Sequence, residues 1–287
     1  MKLLRHGPKG HEKPALLDAE GQVRDLSSLM TDITPATLSP AGLARLRSQD
    51  VSTLPVVPQG TLAVPWTGMG KFICIGLNYA DHAAESNQPI PKEPIVFMKP
   101  TGVAVGCHHA VVLPRDSVKT DWEVELGVVI GSTARYVSEA DALKHVAGYC
   151  VVNDISEREY QLERGGTWDK GKGCDTFGPV GPWLVTADEV GDPQDLPMWL
   201  EVNGKRWQDG STRTMIFGVA QLVSYLSRFM SLHPGDLITT GTPPGVGLGA
   251  KPHPVYLKPG DTMRLGIGKL GEQQQTVHAW DPALIDG

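Results

Sequence analysis

Asp121-Trp122-Glu123-Val124-Glu125-Leu126-Gly127-Val128-Val129-Ile130 is an apolar strand with a charged entrance. From Val124 to Ile130 the run is dominated by aliphatic side chains, as a buried strand requires. Strand residues two apart point the same way, so Glu123 and Glu125 stand side by side. Two adjacent carboxylates repel unless solvent or a cation separates them. One reading is a solvated strand face, the ordinary fate of surface carboxylates. The other is a cation site.

Downstream, residues 147–152 form a second apolar run that ends in Asn153-Asp154. Asp154 thus stands at the end of a buried strand, where sheet proteins commonly place a ligand or catalytic group. Glu123, Glu125 and Asp154 together offer three hard oxygen donors. That set suits Mg²⁺ or Mn²⁺, with water or substrate oxygens completing an octahedron. Zinc would prefer sulfur or imidazole, which the set lacks.

Further from this centre, short β-type runs recur at 72–75, 95–98, 102–105 and 111–113. Others follow at 199–202, 237–240, 255–257, 262–267 and 275–280. Asn203-Gly204 marks a hairpin after 199–202. Helical spacing is clearest over 215–230, through Ile216, Val219, Ala220, Val223, Leu226 and Phe229. Residues 138–146 read as a helix with Ser138 as N-cap. Before residue 68 the texture differs: short strands at 1–5, 15–18 and 23–26, one helix over 37–48, and a Pro-rich connector over 52–66. The expectation is an α+β, β-rich fold, with a small N-terminal domain over 1–68 and a catalytic domain over 69–287. Helices do not alternate strictly with strands, which argues against doubly wound and TIM-type folds.

Asn78-Tyr79-Ala80-Asp81-His82-Ala83-Ala84-Glu85 puts His82 and Glu85 three apart on one helical turn. A carboxylate that orients a histidine makes it a better general base; a plain surface pair is the alternative. In Asp154-Ile155-Ser156-Glu157-Arg158-Glu159-Tyr160-Gln161, the spacing of four and seven places Arg158 and Gln161 on one helix face with Asp154. Arg158 could clamp a carboxylate, or the segment could be an exposed charge run. Lys170-Gly171-Lys172-Gly173 reads as a mobile basic loop whose lysine could stabilise an oxyanion, but it is no phosphate loop. The stretch from Thr240 to Gly247 is Gly-rich, yet Pro243 and Pro244 and the lack of a following helix exclude a dinucleotide loop. His108-His109 reads as loop.

Over 287 residues, 40% hydrophobic and 20% charged content describes an ordinary globular chain. A net charge of −6 gives no basic stripe for nucleic acid. No apolar run reaches a membrane span, and residues 1–7 do not make a signal peptide. Cys74, Cys107, Cys150 and Cys174 form no C-x-x-C pair, which suggests free thiols and a cytoplasmic protein, with a disulfide as the lesser alternative.

Taken in order, Asn78-Tyr79-Ala80-Asp81-His82, Glu123-x-Glu125, Asp154…Arg158…Gln161, Lys172 and Gly241-Thr242-Pro243-x-Gly245-Val246-Gly247 resemble the fumarylacetoacetate hydrolase family over residues 71–280. The N-terminal unit resembles that of bacterial members designated ureidoglycolate lyases or 2,4-diketo-3-deoxy-L-fuconate hydrolases. The resemblance implies a β-rich roll, a homodimer and one divalent metal per site. It implies Glu123, Glu125 and Asp154 as metal ligands, and His82 as base with Glu85 as partner on a short lid helix. Arg158, Gln161 and Lys172 would bind substrate oxygens, and Thr242 would line the pocket. Larger eukaryotic members carry a fourth acidic ligand where this chain has Ile75, which points away from fumarylacetoacetate itself. The expected reaction is hydrolysis of a C–C bond in a small keto acid, a 2,4-diketo acid, releasing pyruvate. The alternatives are a ureidoglycolate lyase or oxaloacetate decarboxylase in the same site, and a non-catalytic metal-stabilised protein.

Overall fold

The computed structural model describes residues 1–58, 60–85 and 89–286, and in it the strand at 121–130 runs from Val124 to Ile130 with every residue buried. Its side chains divide by the period of two. Val124, Leu126, Val128 and Ile130 enter one core cluster, and Val129 enters another. Both faces are therefore covered, which explains the nearly unbroken apolar run.

The strands, in chain order, begin with β1 (Lys2–His6), β2 (Lys13–Leu17), β3 (Val23–Asp25), β4 (Val56–Val57), β5 (Phe72–Gly76) and β6 (Ile95–Lys99). Next come β7 (Ala104–Gly106), β8 (Val111–Val112), β9 (Thr120–Asp121), β10 (Val124–Ile130), β11 (Val146–Asn153) and β12 (Ser156–Glu157). The last are β13 (Gly178–Thr186), β14 (Pro197–Val202), β15 (Lys205–Ser211), β16 (Leu237–Thr239), β17 (Thr262–Ile267) and β18 (Gly271–His278). The larger sheet runs β4-β3-β2-β1-β13-β11-β10-β16-β5-β6, with β7 beside β13. The N-terminal strands extend this sheet, since Lys2 of β1 pairs with Val185 of β13. A second sheet runs β15-β14-β17-β18-β8. Val124, Leu126 and Val128 of the first sheet share a core with Met198, Leu200, Met263 and Leu265 of the second. Each fully buried aliphatic side chain there stabilises the packing by roughly 1.5–3 kcal/mol before entropy is subtracted.

The topology gathers one set of strand ends. β10 is antiparallel to both β11 and β16, and β16 is parallel to β5. The start of β10 therefore lies beside the ends of β11, β16 and β5. The buried carboxylates Glu123, Glu125 and Asp154 sit on that edge.

The helices are short: α1 (Pro35–Leu38), α2 (Pro40–Arg47), α3 (Ala80–Glu85), α4 (Glu139–Ala142), α5 (Arg158–Leu162), α6 (Asp169–Lys172), α7 (Ala187–Val190) and α8 (Val219–Leu226). No helix among the described residues is long and apolar enough to cross a membrane.

Several sequence expectations need correction. The helix expected over 37–48 is two helices, because Ser39 is extended (ψ 156°) and caps the second, with Pro40 at its first position. The long helix expected over 215–230 regularises only in α8. Asn78 takes the backbone N–H groups of both Ile216 (2.7 Å) and Phe217 (2.9 Å), so the preceding turn cannot wind. Ser138 does cap α4, accepting from Asp141 N, but the helix tightens into a 3₁₀ turn at Leu143–His145. Residues 255–257 form no strand, and 101–103 is a 3₁₀ turn before β7. The hairpin does form, with Asn203 and Gly204 both at positive φ (52° and 74°) between β14 and β15. The Pro-rich connector contains β4, while Gln59 within it lies outside the described residues. All four cysteines are free.

Candidate active site

The start of β10 and the end of β11 are tied across the ladder. Asp154 N donates to Glu123 O (2.9 Å), and Glu123 N donates to Asn153 Oδ1 (3.2 Å). This places Glu123, Glu125 and Asp154 together, with one carboxylate oxygen of each within 4.8 Å of the others. They are 6%, 2% and 0% exposed, so the solvated-face reading of the Glu pair does not hold.

Buried carboxylates need compensating charge. Lys172 Nζ lies 2.5 Å from Glu123 Oε2 and 2.7 Å from Asp154 Oδ2. Arg158 donates to Glu123 Oε1 (2.7 Å), Asp121 Oδ2 (2.8 Å) and Gln161 Oε1 (3.0 Å). Burial alone would raise the Glu123 carboxyl, but the Lys172 and Arg158 charges outweigh it and hold it down at about 2. Glu125 goes the other way. Burial, then the Asp154 and Glu123 charges, push it well above the usual carboxylate range. It accepts a bond from Gly241 N (2.9 Å), and no described cation stands within ion-pair distance of it.

Asp154 Oδ1 lacks a donor rather than a charge. Lys99 Nζ is 2.7 Å away, yet the oxygen accepts no hydrogen bond. The reason is that the three ammonium protons of Lys99 go to the carbonyls of Ile155 (2.9 Å), Lys172 (2.6 Å) and Phe177 (2.9 Å). A buried orphan oxygen, a raised carboxyl and an all-oxygen donor set fit a hard divalent cation.

Above this floor stands α3. His82 Nδ1 lies 3.2 Å from Glu85 Oε2. A carboxylate can only accept, so the pair puts the ring proton on Nδ1 and leaves Nε2 as the basic nitrogen. The hydrogen bond with His82 lowers the Glu85 carboxyl despite partial burial, helped by Gly245 N at 3.2 Å from each oxygen. Gly245 itself permits no side chain: a Cβ there would meet Trp207 O at 1.8 Å, and its φ is 102°. The root of α3 is pinned by Asn78, which donates to Phe217 O (3.0 Å) and Thr240 O (2.8 Å).

His82, Glu85, Glu123, Glu125, Arg158, Gln161, Lys172 and Thr242 all line one cavity of about 520 Å³. Asp154 lies behind its surface, reached through Lys172. Two local readings change. Residues 170–173 are no mobile loop: Lys172 ends α6 and is buried, whereas Lys170 is exposed. Asp154 shares no helix with Arg158 and Gln161, because α5 begins at Arg158, after β12. Nor is 157–159 a wholly exposed charge run, since Glu157 and Arg158 are buried.

Sequence reasoning gave no role to Asp121, Lys99 or Gln208. Asp121 accepts from Arg158 and also from Gly247 N (2.7 Å) and Leu248 N (3.0 Å), so it joins the floor to the loop that holds Glu85. Gln208 donates to Thr242 Oγ1 (2.8 Å) and accepts from Val124 N (2.9 Å), fixing that loop against β10. Lys99 had one weak signal, a charge ending the apolar run 95–98; Gln208 had none.

Comparison with known proteins agrees with this architecture. Residues 71–278 match the family model described as fumarylacetoacetate (FAA) hydrolase C-terminal. A protein of Burkholderia ambifaria, provisionally designated a hydrolase, is 64% identical over 278 residues, 96% of this chain and 99% of its own length. Fumarylacetoacetate hydrolase from Exiguobacterium antarcticum superposes with TM-score 0.86 at 33% identity, covering 98% of this chain and 100% of that one. Maleylpyruvate hydrolase from Sphingobium sp. SYK-6, solved with manganese(II) and pyruvate, gives 0.81 at 29% with the same coverage. A 2-hydroxyhepta-2,4-diene-1,7-dioate isomerase from Mycobacterium marinum gives 0.74 at 31%, covering 97% and 98%. With the family model spanning most of its length and relatives of this identity covering nearly all of it, the chain belongs to the fumarylacetoacetate hydrolase family.

Proposed function

We propose that the protein hydrolyses the C–C bond of a 2,4-diketo acid, releasing pyruvate and a carboxylic acid, with Mg²⁺ or Mn²⁺ held by Glu123, Glu125 and Asp154. The observation that carries this reading is the meeting, in one cavity, of Glu123 and Glu125, backed by Asp154, and a histidine whose Nδ1 is bound to a carboxylate. When bound, the cation supplies a Lewis acid for the α-keto acid end and for the negative charge that develops there. His82 takes the proton of a water attacking the distal carbonyl through Nε2, and Glu85 stabilises the imidazolium so formed. Lys172 and Gln161 face the developing oxyanion. Arg158 keeps Glu123 ionised and oriented, since its guanidinium is shared between Asp121, Glu123 and Gln161. The manganese and pyruvate bound to the Sphingobium hydrolase support this reading by likeness.

The test is a product assay on purified protein with Mg²⁺ or Mn²⁺, with and without chelator, on acylpyruvates, 2,4-diketo-3-deoxy-sugar acids, oxaloacetate and ureidoglycolate. Pyruvate and the matching acid in equal amounts, abolished by chelator, is the expected result. Glyoxylate from ureidoglycolate alone, carbon dioxide from oxaloacetate alone, or enol–keto interconversion without cleavage would overturn it.

A further inference from the structure

The cavity has two chemically different sides. Beside the charged groups stands an apolar shelf of Ile75, Ile95, Phe97 and Trp168. The indole of Trp168 lies against the backbone at Gly76, where an added Cβ would be 2.4 Å from the ring, and meets Phe97 edge to face with centroids 5.3 Å apart. Lys172 Nζ lies 5.1 Å from the centroid of the Phe97 ring, so the shelf begins where the carboxylate floor ends.

We propose that this shelf selects the acyl group of the substrate, and that the group is apolar and planar, an aromatic acyl chain rather than a polyhydroxylated one. The inference rests on the hydrolase reading above and narrows its substrate. A planar group sliding onto Trp168 and Phe97 gains burial and aromatic contact. A chain of hydroxyls would lose its water without finding partners. Thr242 carries the one hydroxyl among the described lining residues, and it is already engaged, donating to Val124 O (2.9 Å) and accepting from Gln208 (2.8 Å). Lys172 and Arg158 are paired with carboxylates and Gln161 Oε1 accepts from Arg158, while Lys172 and Gln161 serve the oxyanion in the reading above rather than an acyl chain. Lys251 also lines the cavity, and its charge helps keep Glu85 ionised.

Two measurements on the metal-loaded protein separate this inference from the reading beneath it. The first is kcat/KM for benzoylpyruvate, acetylpyruvate, fumarylpyruvate and a 2,4-diketo-3-deoxy-sugar acid. Benzoylpyruvate should exceed acetylpyruvate by about tenfold or more. Trp168→Ala should collapse that ratio, and Trp168→Phe should keep most of it. Because the readout is a ratio within one preparation, partial misfolding does not mimic it. The second is calorimetric binding of 2-oxo-4-phenylbutanoate, which lacks the carbonyl to be attacked, against 2-oxobutanoate. A preference of about tenfold for the phenyl compound, lost in Trp168→Ala, supports the shelf even if no acylpyruvate is cleaved; in that case only the hydrolase reading falls. Cleavage of acylpyruvates with the sugar acid or fumarylpyruvate preferred, or a ratio unmoved by Trp168→Ala, overturns the inference and leaves the hydrolase reading standing.

Discussion

The floor of the cavity and the helix above it are built by different means. Glu123, Asp154, Asp121, Arg158, Lys172 and Lys99 are all buried and interlocked by short ion pairs that join β6, β9, α5 and α6 to the start of β10 and the end of β11. The His82–Glu85 pair rests on one three-residue side-chain contact and two long bonds from Gly245 N, and both side chains keep some exposure. Charge buried on this scale holds a fixed geometry, because removing any one partner strands the others in a medium that cannot solvate them. A partly exposed pair on a helix of one and a half turns carries little folding energy, so it can serve the reaction without serving the fold.

Breaking the floor should therefore cost stability first. Asp121→Ala leaves Arg158 underpaired and frees the Gly247 and Leu248 N–H groups, for an expected loss of about 3–5 kcal/mol in urea unfolding. A loss under about 1 kcal/mol would mean that the floor is no more rigid than the helix. His82→Ala should do the reverse, lowering kcat by about 10²–10⁴-fold with little change in thermal midpoint. Full activity in that variant would remove the base from the scheme.

Chelation sharpens the same contrast. Activity should vanish, while far-UV circular dichroism and the overall fold persist, because Lys172, Lys99 and Arg158 already hold the carboxylates together. Unfolding on chelation would show that the floor depends on the cation. A control far from both regions is Gly204→Ala, which puts a side chain on a residue at φ 74° with open space around it. It should cost about 1 kcal/mol of stability and leave kcat unchanged.

The smallest effect is one of pH. The Glu85 carboxyl is lowered in the folded state from an ordinary value of 4.5. Its contribution is thus complete above that value and is lost as the pH falls through the lowered one. Thermal midpoints measured from about pH 5 to 3 should fall slightly less steeply in Glu85→Gln than in the wild type. Identical slopes would show that the contact with His82 adds nothing to the fold.

Where the sequence was read well, the physics was local. The unbroken apolar run marked Val124–Ile130 as a strand, and the period of two set Glu123 and Glu125 on one side of it; the Asn203-Gly204 turn and the Ser138 cap need only their own backbone. The i, i+3 spacing brought His82 to Glu85. Long-range bonds caused the errors. Asn78 unwound the expected start of α8, and α6 buried a lysine that its Gly-rich context made look mobile.

By itself, then, the sequence determined the strand-rich class, the donor chemistry of Glu123, Glu125 and Asp154, and the histidine–carboxylate pair, because each depends on side-chain type and short-range periodicity. Only the tertiary structure decided that the start of β10 meets the ends of β5, β11 and β16 at one edge, and that Lys99, Asp121 and Gln208 brace that edge from distant segments. It alone placed Trp168 and Phe97 beside the carboxylates. Those contacts join residues far apart in the chain, and their energy comes from burial and compensated charge, which exist only once the sheets have closed over them.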